Sequence, residues 1–272
     1  MISTIRGSRA SRLGLAAHPN QDPKCVHRAF EAGINYFFFY GPGNTTFIRE
    51  LKLLAWHRDD VILASGSGAR TKRGLQTAHR KIRSALDIKQ IDIFFAEYVN
   101  PGDKPEAIFG GGGVLDELQQ WKREGRIRYV GASAHDRMLA NRLAQDTRVD
   151  VLMHRFNMAH RKAAVEVFPA AVKSGTPIIA FTATRWGTLL EPHPGWRSDP
   201  PSAADCYCFC MAQAAVQVVL TAPQTIAELD ANLAVLKTPR MRKKEYANWE
   251  AFGDIVYRGG GGGDNDFESQ WP

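Results

Sequence analysis

The sequence predicts one α/β domain folded as a closed (β/α)8 barrel, and three observations carry that expectation. Short apolar runs alternate strictly with segments of helical spacing, which implies parallel strands joined by right-handed crossovers. Eight such units fit in roughly 225 residues, the count that closes a barrel. The runs are also apolar on both faces: Ile34 to Phe39, within AGINYFFFYG, is too short for a buried helix and too continuously apolar for a half-exposed strand. A doubly wound open sheet is the structural rival, but no strand leads into a GxGxxG phosphate fingerprint.

In chain order, Ser11 to Ala17 reads as a short strand and Asp22 to Ala32 as a helix, with Val26, Ala29 and Phe30 at helical spacing. Gly33 closes that helix, since glycine enters the left-handed region without a Cβ clash. The strand at 34–40 delivers Tyr40 to its carboxyl end, where α/β folds carry their chemistry. Phe47 to Trp56 is a helix turning Phe47, Ile48, Leu51 and Leu54 inward, Asp60 to Gly66 a strand, and Leu75 to Leu86 a helix with Ile82, Ala85 and Leu86 as its buried stripe. Ile91 to Val99 is a strand, Val114 to Lys122 a helix ended by Gly125, Ile127 to Ser133 a strand, and Arg137 to Gln145 a helix. Val149 to Phe156 is a strand, Arg161 to Lys173 a helix closed by Gly175, and Pro177 to Thr182 a strand. Ala203 to Gln213 is helical, Ala215 to Thr221 is a strand, and Ile226 to Leu236 is the last helix. The glycine runs Gly110–Gly113 and Gly259–Gly263 are not phosphate loops and read as flexible connections. The expected organisation is a barrel over 1–258, then a Gly-rich linker and tail over 259–272 with Phe267 and Trp271 available to dock.

A chain of 272 residues, 44% apolar and 23% charged, suits one large soluble domain. No apolar run approaches the roughly 20 residues that span a bilayer, and MISTIRGSRASRLGL lacks a signal-peptide core. Cys206, Cys208 and Cys210 are spaced so that at most Cys206 and Cys210 share a helix face. They read as buried reduced thiols rather than as a zinc site or a disulfide framework, and the expected location is cytoplasmic. A net charge of +7 points to nucleic acid or to an anionic cofactor or substrate. The basic residues are scattered, and the densest run, Arg240 to Lys244, reads as a solvated face. The expectation is a small-molecule substrate, with neither nucleic acid nor membrane as partner.

Eight segments, in order and at matching spacing, resemble the aldo-keto reductase family. SRLGLAA resembles its opening LGLGT, AGINYFFFYG its GINFFDTAxxYG strand, DDVILASG its RDxVxLxTK strand, and QIDIFFAEYVNP its IDLYLLHxPDP strand. VLDELQQWKREGRIRYVGAS is similar to LxxLxxxGKIRxIGVSN, VDVLMHRFNMAHR to VxQxxYNLLxR, and TPIIAFTATRWGTLL to GIxxIAYSPLxxGxL. VVLTAPQTIAELDANLAVL follows, beside VIPGxxxxxQLxEN. The resemblance implies an aldo-keto reductase type of barrel and an NAD(P)(H)-dependent oxidoreductase acting on a carbonyl-like substrate.

The family's functional positions carry over only in part. Phe38 stands at the tetrad Asp, Gly66 at the Lys and Glu97 at the usual His; Tyr40 stands in for the Tyr only with a shortened loop, an ungapped match placing Gly43 there. Ser133 is kept, Ala134 replaces the usual Asn and Met153 the usual Gln, and Asn157 is kept. At the adenosine-phosphate end Ala222 replaces Gly, Glu228 falls where Gln or Arg is common, and Asn232 is kept. Without the Lys, nothing lowers the Tyr40 pKa, and Phe38 beside Gly66 leaves no unpaired buried charge.

Tyr40 and Glu97 are the candidate catalytic residues. A charged Glu97 inside IDIFFAEYV is costly unless paired, so its pKa rises until it can donate a proton; the competing reading is a Glu bonded to an Arg that ties two strands together. Some steroid-reducing members of the family carry Glu at this position. Asp136 reads as the N-cap of its helix. His135, His154 and Glu97 form a metal site on paper, but no close ligand pair supports one, and a metal-dependent barrel hydrolase is the weakest of the functions considered. Arg185 either clamps a phosphate or is a surface Arg stacked on Trp186. NADP or NAD is expected near Ser133, Asn157, Arg185, Gln224 and Asn232, the preference open because Thr221 to Leu236 has no Lys or Arg and Glu228 repels a ribose phosphate. Ordinary aldehyde reduction is expected to be weak, and the alternative is an inactive dinucleotide- or anion-binding regulator on the same barrel.

Overall fold

A computed structural model describes residues 1–238 and 240–259; the tail beyond, with Phe267 and Trp271, lies outside the described residues. Eight parallel strands form a closed barrel in sequence order: β1 (Leu13–Ala16), β2 (Tyr36–Phe38), β3 (Ile62–Ser67), β4 (Ile91–Val99), β5 (Ile127–Ala134), β6 (Val151–Arg155), β7 (Ile178–Phe181) and β8 (Val216–Thr221). Pairing of Leu15 with Phe37 at one seam and of Gly14 with Leu220 at the other closes the ring. The outer helices are α1 (Lys24–Glu31), α2 (Thr45–Leu53), α3 (Lys72–Leu86), α4 (Pro105–Phe109), α5 (Val114–Arg123), α6 (Arg137–Gln145), α7 (Ala163–Glu166), α8 (Phe168–Ser174), α9 (Ala203–Met211), α10 (Ile226–Leu233) and α11 (Lys243–Gly259). Among the described residues, no helix is long and apolar enough to cross a membrane.

The period of two explains the unbroken apolar run at β2. Tyr36 and Phe38 point into the barrel with Ile62, Ile93, Phe95, Val151 and Val218, while Phe37 and Phe39 join the layer between strands and helices. Helix starts are fixed by side-chain caps: Thr71 accepts from the Gly74 N–H, Asp136 from the Leu139 N–H, and Ser202 with Asp205 forms a capping box. The cysteines of α9 are free, buried thiols, the Cys210 Sγ donating to the Phe156 carbonyl.

Three elements depart from the sequence expectation. The single helix expected at 161–173 is α7 and α8, interrupted at Val167, because Pro169 lacks an N–H and its ring clashes with the preceding turn. The short α4 occupies a stretch to which the sequence assigned no element, just before the glycine run Gly110–Gly113. The third is α11, which packs Trp249, Phe252 and Val256 against the β6 and β7 loops. Its approach is so close that a Cβ on Gly253 would collide with the Met158 carbonyl.

The amino end of the barrel is closed by the first ten residues. Ile2 is buried in the interior, its backbone exchanging hydrogen bonds with the Gln217 side chain (3.0 and 2.9 Å). Beneath it Asp92 is wholly buried, with Arg58 and Arg128 each 2.8 Å from its carboxylate and the Leu63 N–H donating at 2.9 Å. Arg128 also donates to the Ser3 and Thr4 carbonyls.

Candidate active site

At the carboxyl end of the barrel the backbone is irregular. Four of the five described non-glycine residues with positive φ, Tyr98, Thr182, Arg185 and Trp186, lie just inside or after the ends of β4 and β7. Each such left-handed residue costs about 1–2 kcal/mol, and strain of this kind collects at functional sites. The β4–β5 register shifts between Ala96 and Val99, so the Tyr98 N–H leaves the ladder and donates to the Ser133 hydroxyl (2.9 Å).

Glu97 sits in that bulge. Its Oε1 is buried with no hydrogen-bond partner among the described residues. Burial pushes its carboxyl up to about 7, and the Arg70 guanidinium pulls weakly the other way. Arg70, which sequence reasoning missed, holds the main chain rather than the carboxylate. It donates to the Glu97 and Tyr98 carbonyls (2.8 Å each) and forks onto Asp103 at 2.8 and 3.0 Å. The expected alternative, a Glu97 carboxylate tied to an arginine, is therefore not the arrangement present. Nothing in the sequence pairs Arg70 with a loop 33 residues on.

The space around Glu97 is shaped by what replaces the expected Asp and Lys. Phe38 packs edge-on against Phe95 and Tyr40, with centroids 5.9 and 4.7 Å apart. Gly66 faces the same layer: a Cβ there would lie 2.5 Å from the Phe95 carbonyl oxygen and 2.9 Å from the Glu97 Cγ. Ser65, the nearby polar candidate, donates to the Phe39 carbonyl at 2.7 Å and accepts from the Gly41 N–H, fixing the loop that carries Tyr40. Tyr40 is 48% exposed at the rim. Desolvation, then the proximity of Tyr98 and Glu97, moves its pKa above the ordinary value of 10, away from the phenolate. On the far wall His135 stacks on Tyr98 (5.3 Å) and meets Phe181 edge-on (5.2 Å).

The expected cofactor residues divide into two groups. Ser133 accepts from the Tyr98 N–H, next in sequence to Glu97, and its own O–H has no acceptor among the described residues. Asn157 is fully buried and organises the loop after β6, donating to the Thr182 carbonyl and accepting from the Ala159 and His160 N–H groups. Arg185 is 3% exposed and donates to the Val256 carbonyl of α11, so it is no surface arginine; Trp186 is the exposed one of the pair. On the opposite side Asn232 donates to Thr221, which also bonds Tyr207, in a buried network. The start of α10 is already supplied with an anion, because the Glu228 carboxylate accepts from the Gln224 N–H at 2.6 Å. His154 donates from Nδ1 to the Ala134 carbonyl at 2.6 Å, and burial lowers its pKa to about 4. Among the described residues no group of three or more His, Cys, Asp or Glu side chains is placed to hold a metal ion.

The fold is matched by solved structures and the sequence by a family pattern. An aldo-keto reductase of Bacillus halodurans superimposes in its holo form with a TM-score of 0.76 at 18% identity, covering 89% of this chain and 92% of that one. Its apo form gives 0.73 over the same shares, also at 18% identity. No curated protein matches the sequence. The sequence pattern of the aldo/keto reductase family matches residues 12–194, two thirds of the chain. The chain belongs to the aldo/keto reductase family.

Proposed function

We propose that the protein is an NAD(P)H-dependent oxidoreductase that reduces a carbonyl-like small molecule, with Glu97 rather than a tyrosine as proton donor. The observation that carries this reading is Glu97, whose Oε1 is buried with no hydrogen-bond partner among the described residues and whose carboxyl is pushed up to about 7 by desolvation. Such a group is half protonated at neutral pH, where a general acid works best. When bound, a nicotinamide supplies the hydride. The chain's own residues do the rest. The Phe181 ring offers a flat wall at the mouth, the Ser133 O–H is available to a polar group on a bound ring, and Tyr40, kept protonated, donates a hydrogen bond toward the substrate oxygen. Glu97 then delivers its proton to that oxygen and is left as a carboxylate, held in place by the Arg70 clamp on its backbone.

The mouth fits a nicotinamide better than the α10 side fits a ribose phosphate. There, Glu228 already occupies the Gln224 N–H, and no cation stands between Thr221 and Leu236. NADH is therefore expected to bind more tightly than NADPH, which calorimetry with both cofactors checks. Glu97→Gln should lower turnover on a panel of aldehydes and quinones roughly 10²–10⁴-fold, with cofactor affinity unchanged. In the parent, turnover should fall as pH rises through about 7, the point at which Glu97 loses its proton. The regulatory alternative draws on the aromatic rings that crowd the mouth, Phe38 with Tyr40 and Tyr98 with His135. Cofactor binding without turnover on any carbonyl of the panel would favour it; no binding of either cofactor at millimolar concentration would remove the oxidoreductase reading.

A further inference from the structure

Arg70 is a cation whose charge is felt at Glu97, yet its hydrogen bonds go elsewhere. It stands in the loop between β3 and α3, against the main chain of the β4 bulge. Its Nη2 donates to the Glu97 and Tyr98 carbonyls at 2.8 Å each. Asp103 takes the fork formed by Nε and Nη2, at 2.8 and 3.0 Å. The third nitrogen, Nη1, is buried and has no hydrogen-bond partner among the described residues, as is true of the Glu97 Oε1. Asp103 is itself fixed: it accepts from the Asn100 N–H at 3.0 Å, and the Asn100 side chain ties the same turn to the Tyr98 carbonyl and the Gly102 N–H. Burial pushes the Asp103 carboxyl up, but the Arg70 fork and the Asn100 N–H outweigh it and hold the group below its ordinary value. Asp103 is therefore a carboxylate wherever Glu97 titrates.

We propose that Asp103 is a positioning residue for Glu97: it captures the Arg70 fork and so keeps that guanidinium off the Glu97 carboxyl. A planar fork binds one carboxylate at a time in this bidentate way. Without Asp103, Arg70 would carry an uncompensated charge beside a carboxyl with a free oxygen, and pairing with Glu97 would satisfy both. The catalytic consequence rests on the reading of Glu97 as proton donor; the electrostatic one does not. Three ionisable groups face Glu97: Tyr40 from the loop after β2, Arg70 from the loop after β3, and Tyr98 beside it. His135, at the end of β5, lies one ring further out, stacked on Tyr98. Burial first, then Glu97 itself, keeps both tyrosines protonated, so neither competes with Glu97 near neutral pH.

The test is urea unfolding of the full chain between pH 5 and pH 8, with Glu97→Gln made in each background so that only the Glu97-dependent part is read. In the parent that part is a loss of stability as pH rises through about 7, because folding raises the Glu97 pKa. Asp103 titrates below this window, so its removal adds a constant offset and no midpoint. Asp103→Asn should move the Glu97 midpoint down by about 1–3 units, the usual effect of an adjacent opposite charge, and the pH midpoint of turnover with it. Asp103→Glu, which keeps the countercharge, should hold both near 7. Arg70→Gln should raise the midpoint, since the opposing charge is gone, and it decides the matter should Asp103→Asn fold poorly. A Glu97-dependent midpoint that is absent from the parent, stays near 7 in Asp103→Asn or is unmoved by Arg70→Gln overturns the proposal. A stability midpoint that shifts in Asp103→Asn while the turnover profile stays put upholds it, and removes Glu97 as the acid instead.

Discussion

One strand carries two carboxylates with opposite surroundings. Asp92, at the amino end of β4, is 0% exposed and meets two guanidinium groups and a backbone N–H at 2.8–2.9 Å. Glu97, five residues on, has a buried oxygen with no partner among the described residues and a pKa pushed up to about 7. A paired buried charge joins elements: Arg58 and Arg128 bring the loop before β3, β5 and the N-terminal segment onto Asp92. An unpaired one is retained at a cost in stability, and its proton stays available to a ligand. The nearest cation, Arg70, is spent on the main chain of Glu97, so the side chain is aimed without being neutralised.

The contrast predicts opposite signs for the two amide substitutions. Asp92→Asn leaves two arginines facing a neutral group and should lose about 3–5 kcal/mol of stability, measured by urea unfolding. Glu97→Gln should stabilise. The folded-state pKa of Glu97 lies above its unfolded value near 4.5, so the folded parent holds its proton more tightly and loses stability as pH rises from about 4.5 through 7. The amide escapes that loss, and the gain should grow to at most about 3 kcal/mol by pH 8, since one pKa unit is about 1.4 kcal/mol. Equal unfolding free energies of parent and variant at pH 5 and pH 8 would show that Glu97 is paired in solution.

Gly66 sharpens the same comparison. A methyl group there would lie 2.5 Å from the Phe95 backbone oxygen and 2.9 Å from the Glu97 Cγ, so something must shift. Gly66→Ala should cost about 1–3 kcal/mol, the usual penalty of overpacking, and should move the pH midpoint of turnover with Glu97. Gly66→Lys should not restore aldehyde reduction, since its stem meets that obstacle and its ammonium faces Phe38. An active Gly66→Lys variant with unaltered stability would mean that the β3–β4 interface is looser than its geometry.

How much of this was legible follows from where each signal resides. The eight strands were readable because both-face burial leaves continuous apolar runs with turn residues between them. Glu97 was readable as a lone charge in such a run. Its surroundings were not: Arg70 reaches it from another loop, and the bulge that frees the Tyr98 N–H has no sequence mark. The helix α11 did leave a signal, since Tyr246, Trp249, Phe252 and Val256 recur at helical spacing, but the basic run before it dominated the reading. Asn232 matched a family pattern and Gln224 stood beside it, yet local bonding to Thr221 and Glu228 decides what they offer a ligand, and such bonds form only in the folded chain.

The smallest effect separates the two hydroxyl-bearing candidates at the mouth. If Glu97 delivers the proton, Tyr40 contributes only a hydrogen bond to the substrate oxygen. Removing one neutral hydrogen bond costs about 0.5–1.5 kcal/mol, so Tyr40→Phe should slow turnover less than about tenfold and leave the midpoint near pH 7. The ring itself remains, and with it the edge-on contact to Phe38 at 4.7 Å, so stability should hardly change. The upward shift of the Tyr40 pKa runs against a phenol acting as the titrating acid, because desolvation and the neighbouring Tyr98 and Glu97 all oppose its ionisation. A drop of a hundredfold or more in Tyr40→Phe, with the pH midpoint near 7 lost in that variant and kept in Glu97→Gln, would reverse the assignment and make Glu97 the supporting group.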